Sequence, residues 1–457
     1  MNVTALRIRD LADRRVAVWG YGREGHAALA ALRAHLPQLA PTLLCTETEA
    51  DSAHAAEPAL TVLAGEPDAD TLAAFEIVIK SPGISAWRPE IATAAARGTR
   101  FTSGTALWFA ERTDARVVAV TGTKGKSTTS ALLVHLARSL GVRTALAGNI
   151  GMPLLELLDA DAALWVIELS SFQTGDAAAP ELGVITCLYE EHLDWHGSRE
   201  RYVADKLRLA ATARTLLVNA EQPELLRLTA AHSQRHLFAG GDGWHVDDAA
   251  IRRGAEPVWP LRELPLPGRH NALNACAALA ALDLLGFDAH AATPALARFR
   301  ALPHRLQLLG ERDGLHWIND SIATTPQATL AALDCLAGRA VTVIVGGHER
   351  GLDWSAFVER CRTAPPQAVI SQGANGPRIA AALDAAGVGA RCERVADLAA
   401  AVAAARALTP PGGVVLLSPG APSFDQFHDY AERGRAFATL AGFDAGAIAG
   451  ISGLGIA

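Results

Sequence analysis

Three times along the chain a short apolar run ends in glycine and gives way to a helical stretch. That recurrence limits the fold more than any other feature. Arg15–Gly20 (R-V-A-V-W-G) enters the turn Gly20-Tyr21-Gly22-Arg23-Glu24-Gly25, with an alanine-rich helix expected from His26. Arg116–Val120 (R-V-V-A-V) leads into T-G-T-K-G-K and a helix expected over Ser127–Leu140, and Ala340–Val345 ends in Gly346-Gly347. Further strands are expected at Thr42–Cys45, Phe75–Lys80, Ala163–Leu169, Gly183–Leu188, Gln367–Ile370 and Gly413–Leu417. Apolar strand, glycine turn and helix in repetition predict an α/β fold of parallel sheets with crossover helices. A chain of 457 residues is too long for one core. The length points to about three domains, and the landmarks divide them as 1–104, 105–301 and 302–457.

Composition narrows the function. The net charge of -7 comes with no basic stretch, which argues against a nucleic-acid partner. Six cysteines are scattered without a C-x-x-C pair, as expected of reduced thiols in a cytosol. No uncharged apolar run reaches about 18 residues and the N-terminus lacks a signal-peptide core, so a cytoplasmic protein without a membrane span is expected.

Gly20-x-Gly22-x-x-Gly25 fits the dinucleotide fingerprint, with Glu47 placed as a ribose partner. Glycines admit a phosphate close to the backbone, and a helix start offers it free N–H groups. The same glycines also suit a plain strand-to-helix turn. No hydride-transfer site follows, so a nucleotide diphosphate is the better expectation than a dehydrogenase cofactor. In the second turn, Gly125-Lys126-Ser127 supplies the ending of a P-loop, but Val120 stands where the first glycine belongs and Gly122 is the nearest one. The context still suits a phosphate cradle: backbone N–H groups around the phosphates, Lys126 against developing charge, and Ser127 as a Mg²⁺ ligand. Glu168 ends an apolar strand, where a metal ligand belongs, or where a helix start favours an acid. In Glu190–His196 (E-E-H-L-D-W-H), His192 with Glu191 and Asp194 reads as a metal or carboxylate site, or as a structural histidine. Lys206, near the start of an apolar helix, reads by itself as a solvated lysine.

Taken together, these residues resemble the Mur ligase superfamily, across the whole chain. The resemblance is carried by T-G-T-K-G-K-S-T at Thr121–Thr128, Gly148-Asn149-Ile150-Gly151, Glu168-Leu169-Ser170-Ser171-Phe172-Gln173, Glu191–Asp194 and Lys206. It continues through His270–Asn274, Pro303-His304-Arg305, Asn319-Asp320-Ser321 and Ser418–Phe427. The shortened P-loop matches that superfamily's own form. The resemblance implies a Rossmann-like N-terminal domain, a central P-loop ATPase domain and a Rossmann-like C-terminal domain. Glu-Leu-Ser-Ser-Phe-Gln and Asp-Gln-Phe are most similar to the glutamate-adding branch, which joins glutamate to UDP-N-acetylmuramoyl-L-alanine in peptidoglycan precursor synthesis. By that resemblance Gly22, Arg23, Glu24, Thr46, Glu47, Ser81, Gly83 and Asn149 hold the UDP substrate. Gly122, Thr123, Lys124, Gly125, Lys126, Ser127, Thr128, Asn271, Arg305 and Asp320 serve ATP. Lys126, Glu168, His192 and Lys206 are implied as catalytic, with Mg²⁺ held by Ser127, Glu168, His192 and a carbamylated Lys206. The implied reaction passes through an acyl phosphate, in a monomeric enzyme.

Departures from the branch cluster on its amino-acid pocket. Ile322 follows Asn319-Asp320-Ser321 where a lysine is usual, Arg350 stands where a lysine is common, and Tyr430 replaces a frequent phenylalanine. A guanidinium fork and an ammonium hold carboxylates differently. Ile322–Pro326 with Gly346–Trp354 resembles a variant subfamily of some plant-pathogenic bacteria that adds L-glutamate and relies on a separate epimerase. L-Glutamate is therefore the expected substrate, with Thr324, Arg350, Ser423 and Tyr430 around it. The ordinary D-glutamate ligase is the alternative. A folate polyglutamate ligase would lack the Gly20–Gly83 region, and a non-catalytic nucleotide-binding protein would not need Lys126, Glu168, His192 and Lys206 together.

Overall fold

The computed structural model describes residues 5–189, 193–388, 391–446 and 454–457. They form two compact units, one of the described residues up to 263, 272–297 and 454–457, the other of residues 264–271 and the described residues from 298 to 446.

The first unit carries two parallel sheets. In its N-terminal part, β1 (Val16–Trp19), β2 (Thr42–Cys45), β3 (Thr61–Ala64), β4 (Ile77–Lys80) and β5 (Arg100–Thr102) lie in the order β3-β2-β1-β4-β5. Every pairing is parallel, with Val18 opposite Leu43 on one side and Ile79 on the other. The chain reverses direction of winding beside β1, so the turns after β1 and β4 flank a switch-point crevice, the usual ligand position in such sheets. Gly25 belongs to this arrangement: a Cβ there would overlap the carbonyl oxygen of Gly20, so only glycine lets the helix Arg23–His35 start this close to β1.

The central sheet runs β11 (Arg235–Phe238), β10 (Thr215–Asn219), β9 (Leu182–Ile185), β6 (Val117–Thr121), β8 (Leu164–Glu168), β7 (Thr144–Gly148). The strands β6 to β9 are buried along their whole length, as is usual of parallel strands covered on both faces. The two sheets share one apolar core, in which Trp108 meets Trp165 at 4.8 Å between ring centroids. A small antiparallel sheet, β12 (Trp244–Val246), β13 (Ala250–Arg253) and β14 (Glu256–Pro260), completes this part.

In the second unit, β15 (Gln307–Arg312), β16 (Leu315–Asn319), β17 (Val341–Val345), β18 (Ala368–Ser371), β19 (Cys392–Arg394) and β20 (Val414–Leu417) lie in the order β15-β16-β20-β17-β18-β19. Only the β15–β16 hairpin is antiparallel in this sheet.

Two placements differ from the sequence reading. The last strand, β21 (Gly455–Ile456), leaves the C-terminal region expected to span 302–457 and pairs antiparallel with β7 of the central sheet. Two main-chain hydrogen bonds join Thr144 and Ala457, and Arg138 donates to the carbonyls of Thr144 and Gly455. Lys206 lies in the middle of the helix Arg199–Thr212, not near its start, because Ser198 caps that helix at Arg199. No helix among the described residues is long and apolar enough to cross a membrane.

Candidate active site

The phosphate loop follows β6. Gly125 caps the helix Lys126–Ser139 in the left-handed region at φ 85°, a conformation that glycine adopts without strain. A Cβ there would run into Asn274 Oδ1, and a Cβ on Gly122 into Thr186 Oγ1. Neighbouring side chains thus mould the loop closely: Thr186 Oγ1 donates to the Lys124 carbonyl at 2.5 Å, and Thr129 Oγ1 bonds Asn274 Oδ1. Thr123 Oγ1 bonds the hydroxyl of Tyr202 at 2.7 Å and accepts from the Tyr189 N–H at 2.8 Å. Lys124 is exposed, Ser127 half-buried at the helix start, and Thr128 buried. The first N–H groups of an α-helix have no partner within the helix, and a helix start after a glycine loop is a position an anion takes.

Two ammonium groups converge on one loop oxygen. Lys126 Nζ donates to the carbonyl of Gly122 at 3.0 Å and to that of Thr123 at 3.1 Å. Lys206, only 2% exposed, donates to the same Gly122 carbonyl at 2.9 Å and sits 5.0 Å from the Tyr202 ring centroid. Glu168, at the end of β8, is fully buried; its Oε1 accepts from Asn149 Nδ2 at 2.8 Å. Its Oε2 has no hydrogen-bond partner among the described residues. A buried, unsatisfied carboxylate oxygen is costly, and a cation is the partner that satisfies it. Glu168 therefore fits a divalent-cation site, with Ser127 at the neighbouring helix start. His192, expected as a further ligand, and Glu191 lie outside the described residues.

The turns after β1 and β4 open on a cleft of 520 Å³. Gly22, Arg23, Glu24, Thr46, Ser81, Gly83 and Asn149 line it, and Ser170, Phe172 and Gln173 add a wall from the central sheet. Seven of the residues expected to bind the UDP substrate therefore come together. Glu47 does not: it is exposed, and Glu49 lines the cleft in its place. The cause is local, because Thr46 caps the helix Glu47–Ala56 and Glu49 folds back onto the Thr46 N–H at 3.0 Å, turning Glu47 outward. Ser81 Oγ is buried without a hydrogen-bond partner among the described residues and would lie 2.7 Å from a Cβ on Gly20. A donor poised beside a glycine turn suits a phosphate. Burial pushes the Glu24 carboxyl up to about 7, with Glu156 and Asp176 adding to the rise and Arg23 opposing it. Burial also pushes Lys80 down to about 8, against the pull of Asp176. Sequence reading missed Lys80, whose Nζ donates to the Ser81 and Ile84 carbonyls and fixes the turn. Its place as the last residue of an apolar strand was the available signal.

In the second unit, Asp320 follows β16 and accepts from Ser418 Oγ at 2.8 Å and the Leu306 N–H at 3.0 Å. Burial raises its carboxyl to about 6, although these bonds and the Arg305 charge pull the other way. Asn271 Nδ2 donates to the Pro267 carbonyl. His304 packs edge-on against Tyr430 at 5.9 Å; burial first, then the Arg435 charge, lowers its pKa to about 4. Arg433, also missed from the sequence, is buried and donates to Ser321 Oγ, the Ser321 carbonyl and the Pro422 carbonyl. It ties the Asn319–Ser321 turn to the segment leading to Ser423, which is buried. Thr324 and Ile322 are half-buried, Arg350 is exposed, and Tyr430 is 40% exposed.

Comparison with known proteins gives concordant results. The Mur ligase middle domain matches residues 120–282, and the Mur ligase glutamate ligase domain matches residues 304–420. A protein named UDP-N-acetylmuramoyl-L-alanine–L-glutamate ligase from Xanthomonas euvesicatoria pv. vesicatoria (strain 85-10) is 51% identical over 99% of this chain and 100% of its own length. One of the same name from Xylella fastidiosa (strain Temecula1 / ATCC 700964) is also 51% identical, with the same coverage. Among solved structures, UDP-N-acetylmuramate–alanine ligase from Thermotoga maritima superposes with a TM-score of 0.61 at 20% identity, covering 93% of this chain and 98% of that one.

Proposed function

From the premise that this chain belongs to the Mur ligases, ATP-dependent enzymes that form amide bonds in peptidoglycan synthesis, we propose that it joins L-glutamate to UDP-N-acetylmuramoyl-L-alanine. The observation that carries the reading is the conjunction, within one unit, of a phosphate loop with two converging lysines and a 520 Å³ cleft whose wall includes Asn149, the partner of Glu168. The preference for L-glutamate is supported by the names of relatives at 51% identity and by Ile322, Arg350 and Tyr430 at the amino-acid pocket.

A carboxylate resists attack by an amine until one oxygen becomes a leaving group. The alanyl carboxylate therefore attacks the γ-phosphate of ATP, forming a carboxyl–phosphate bond and releasing ADP. The glutamate amine then attacks the acyl carbon, and inorganic phosphate departs as the amide forms. The helix N-terminus at Lys126–Ser127 and the Lys126 ammonium hold the phosphate chain and oppose the charge developing on the transferred group. The Gly20–Gly25 turn and Ser81 seat the uridine diphosphate, and Asn149 fixes Glu168. Asn271, Arg305 and Asp320 serve ATP, and Thr324, Arg350, Ser423 and Tyr430 receive the amino acid.

Mg²⁺ would be held by Glu168, Ser127, His192 and Lys206, and would supply electrostatic stabilisation of phosphate charge when bound. For Lys206 that role requires carbamylation, since an ammonium cannot ligate a cation. Two ammonium groups on one carbonyl oxygen repel, and converting Lys206 to a carbamate replaces that repulsion with attraction to Lys126.

The proposed enzyme is cytoplasmic and monomeric, and its L-glutamyl product requires an epimerase downstream. Phosphate release by the purified protein tests the reading. It should require ATP, Mg²⁺, UDP-N-acetylmuramoyl-L-alanine and glutamate together, and should vanish in Lys126→Ala. Release that continues in Lys126→Ala would overturn it.

A further inference from the structure

A second, smaller cavity of 250 Å³ adjoins the substrate cleft, sharing Pro82 and Phe172 with it. At its edge a buried chain of hydrogen bonds runs through three elements. Asp205 Oδ2 accepts from His196 Nδ1 at 2.8 Å, and His196 Nε2 meets Ser171 Oγ at 2.9 Å. His196 is fully buried, Ser171 5% exposed and Asp205 6% exposed. The connectivity is that of a Ser–His–Asp relay, but its members are differently engaged. Asp205 also accepts from Trp87 Nε1 at 3.0 Å and pairs with Arg208 at 3.3 Å. The Asp205 carbonyl takes Thr174 Oγ1 at 2.6 Å. A serine hydroxyl packed against a fully buried ring is held, not presented as a nucleophile.

What the chain holds is informative. Asp205 immediately precedes Lys206 on the helix Arg199–Thr212, so fixing the Asp205 side chain fixes that helix about its axis and sets Lys206 Nζ at the Gly122 carbonyl. Ser171 sits between Ser170 and Phe172, both of which line the substrate cleft. The neighbouring Trp195 stacks on Phe172 at 4.4 Å and donates through Nε1 to the Gly83 carbonyl, in the turn after β4. One imidazole therefore has an arm toward the phosphate-loop lysine and an arm toward the wall of the substrate cleft.

The geometry points to His196 as a positioning residue with two separable arms: Nδ1 acts through Asp205 on Lys206, and Nε2 acts through Ser171 on the Ser170–Gln173 wall. The role for catalysis rests on the ligase reading above. The separation of the arms does not, because it is a property of the packing.

The test uses substitutions that keep one arm each. In His196→Asn the amide falls near Nδ1, keeping the bond to Asp205 and losing Ser171; in His196→Gln it falls near Nε2 and does the reverse. Ser171→Ala removes the second arm alone. His196→Asn and Ser171→Ala should raise KM for UDP-N-acetylmuramoyl-L-alanine about tenfold, with kcat within about twofold. His196→Gln should lower kcat about tenfold, with KM within about twofold. Amide hydrogen exchange on the same proteins without substrates should show faster exchange at residues 170–173 in His196→Asn and in the helix 199–212 in His196→Gln. Equal changes in both segments, or none in either, would overturn the inference. Wild-type protein that lacks glutamate-dependent phosphate release but shows the split exchange pattern would sink the ligase reading and leave this one standing.

Discussion

Lys126 and Lys206, eighty residues apart in the chain, donate to the same Gly122 carbonyl at 3.0 and 2.9 Å. One of them is the P-loop lysine; the other is almost wholly buried, 5.0 Å from the Tyr202 ring centroid. The proposed state of the second is a carbamate. Lys206→Arg keeps the positive charge but cannot form a carbamate, so it should lose at least about a hundredfold in kcat. Intact-protein mass spectrometry under bicarbonate, at mild alkaline pH, should show one CO₂ added to wild type and none to the variant. Near-normal activity in Lys206→Arg would contradict the assignment.

The substrate cleft should respond to pH through Glu24. Burial holds its carboxyl at about 7 instead of the ordinary 4.5, so it is largely neutral below pH 7 and anionic above it. A new negative charge beside a diphosphate site weakens binding. KM for the UDP substrate should therefore rise between about pH 6 and 8, and Glu24→Gln should flatten that part of the profile. The stability effect has a fixed sign as well. Between 4.5 and about 7 the folded state keeps a proton that the unfolded chain has lost. Stability therefore falls as pH rises through that window and levels off above it. Thermal melts of wild type and Glu24→Gln across the window check this.

Gly25→Ala should destabilise the first unit by about 2 kcal/mol, since the added methyl meets backbone and no side chain can yield. Gly22→Ala, with open space around its Cβ direction, should cost less than about 1 kcal/mol. Denaturant midpoints of the two variants give the comparison.

Arg433 should matter for the second unit although it is not itself an expected ligand residue, because it bonds Ser321 after Asp320 and Pro422 before Ser423. Burial lowers its pKa to about 10, which leaves it charged at neutral pH. Arg433→Met removes the donor to the Ser321 carbonyl and one bond each from the Pro422 carbonyl and the Ser321 hydroxyl, which keep the His348 N–H and the Tyr430 carbonyl, at a cost of about 2 kcal/mol. It should also raise KM for glutamate, because the Ser321 and Pro422 turns lose their common tie. Unchanged stability and KM would show that Arg433 does not hold these turns together.

The fold was readable where strands are continuous apolar runs: Val16–Trp19, Val117–Thr121, Leu164–Glu168 and Val341–Val345 are each buried throughout. It was hidden where strands are short, at edges or mixed in polarity. Thr61–Ala64 is mostly exposed, Trp244–Pro260 pairs antiparallel without a continuous apolar run, and the closing strand has two residues. Thr144–Gly148 escaped notice because its small residues carry no strong apolar signal, although all five are buried. Of the site, the glycine turns and the P-loop were legible because their spacing is chemistry. Glu47, expected as a ribose partner, is exposed while Glu49 lines the cleft, because a capping box folds Glu49 back onto Thr46, and spacing from a glycine motif does not register that. The His196 relay joins Ser171 to Asp205 by tertiary proximity, and linear sequence does not show which of several polar residues will meet.

The handedness of the added amino acid separates the proposed L-glutamate ligase from the ordinary D-glutamate enzyme. The most direct measurement offers equal L- and D-glutamate with ATP, Mg²⁺ and UDP-N-acetylmuramoyl-L-alanine, hydrolyses the product and reads the chirality of the incorporated glutamate. L-Glutamate should be found almost alone. Predominant D-glutamate would keep the Mur ligase and overturn the reading of Ile322, Arg350 and Tyr430 as the residues of an inverted pocket.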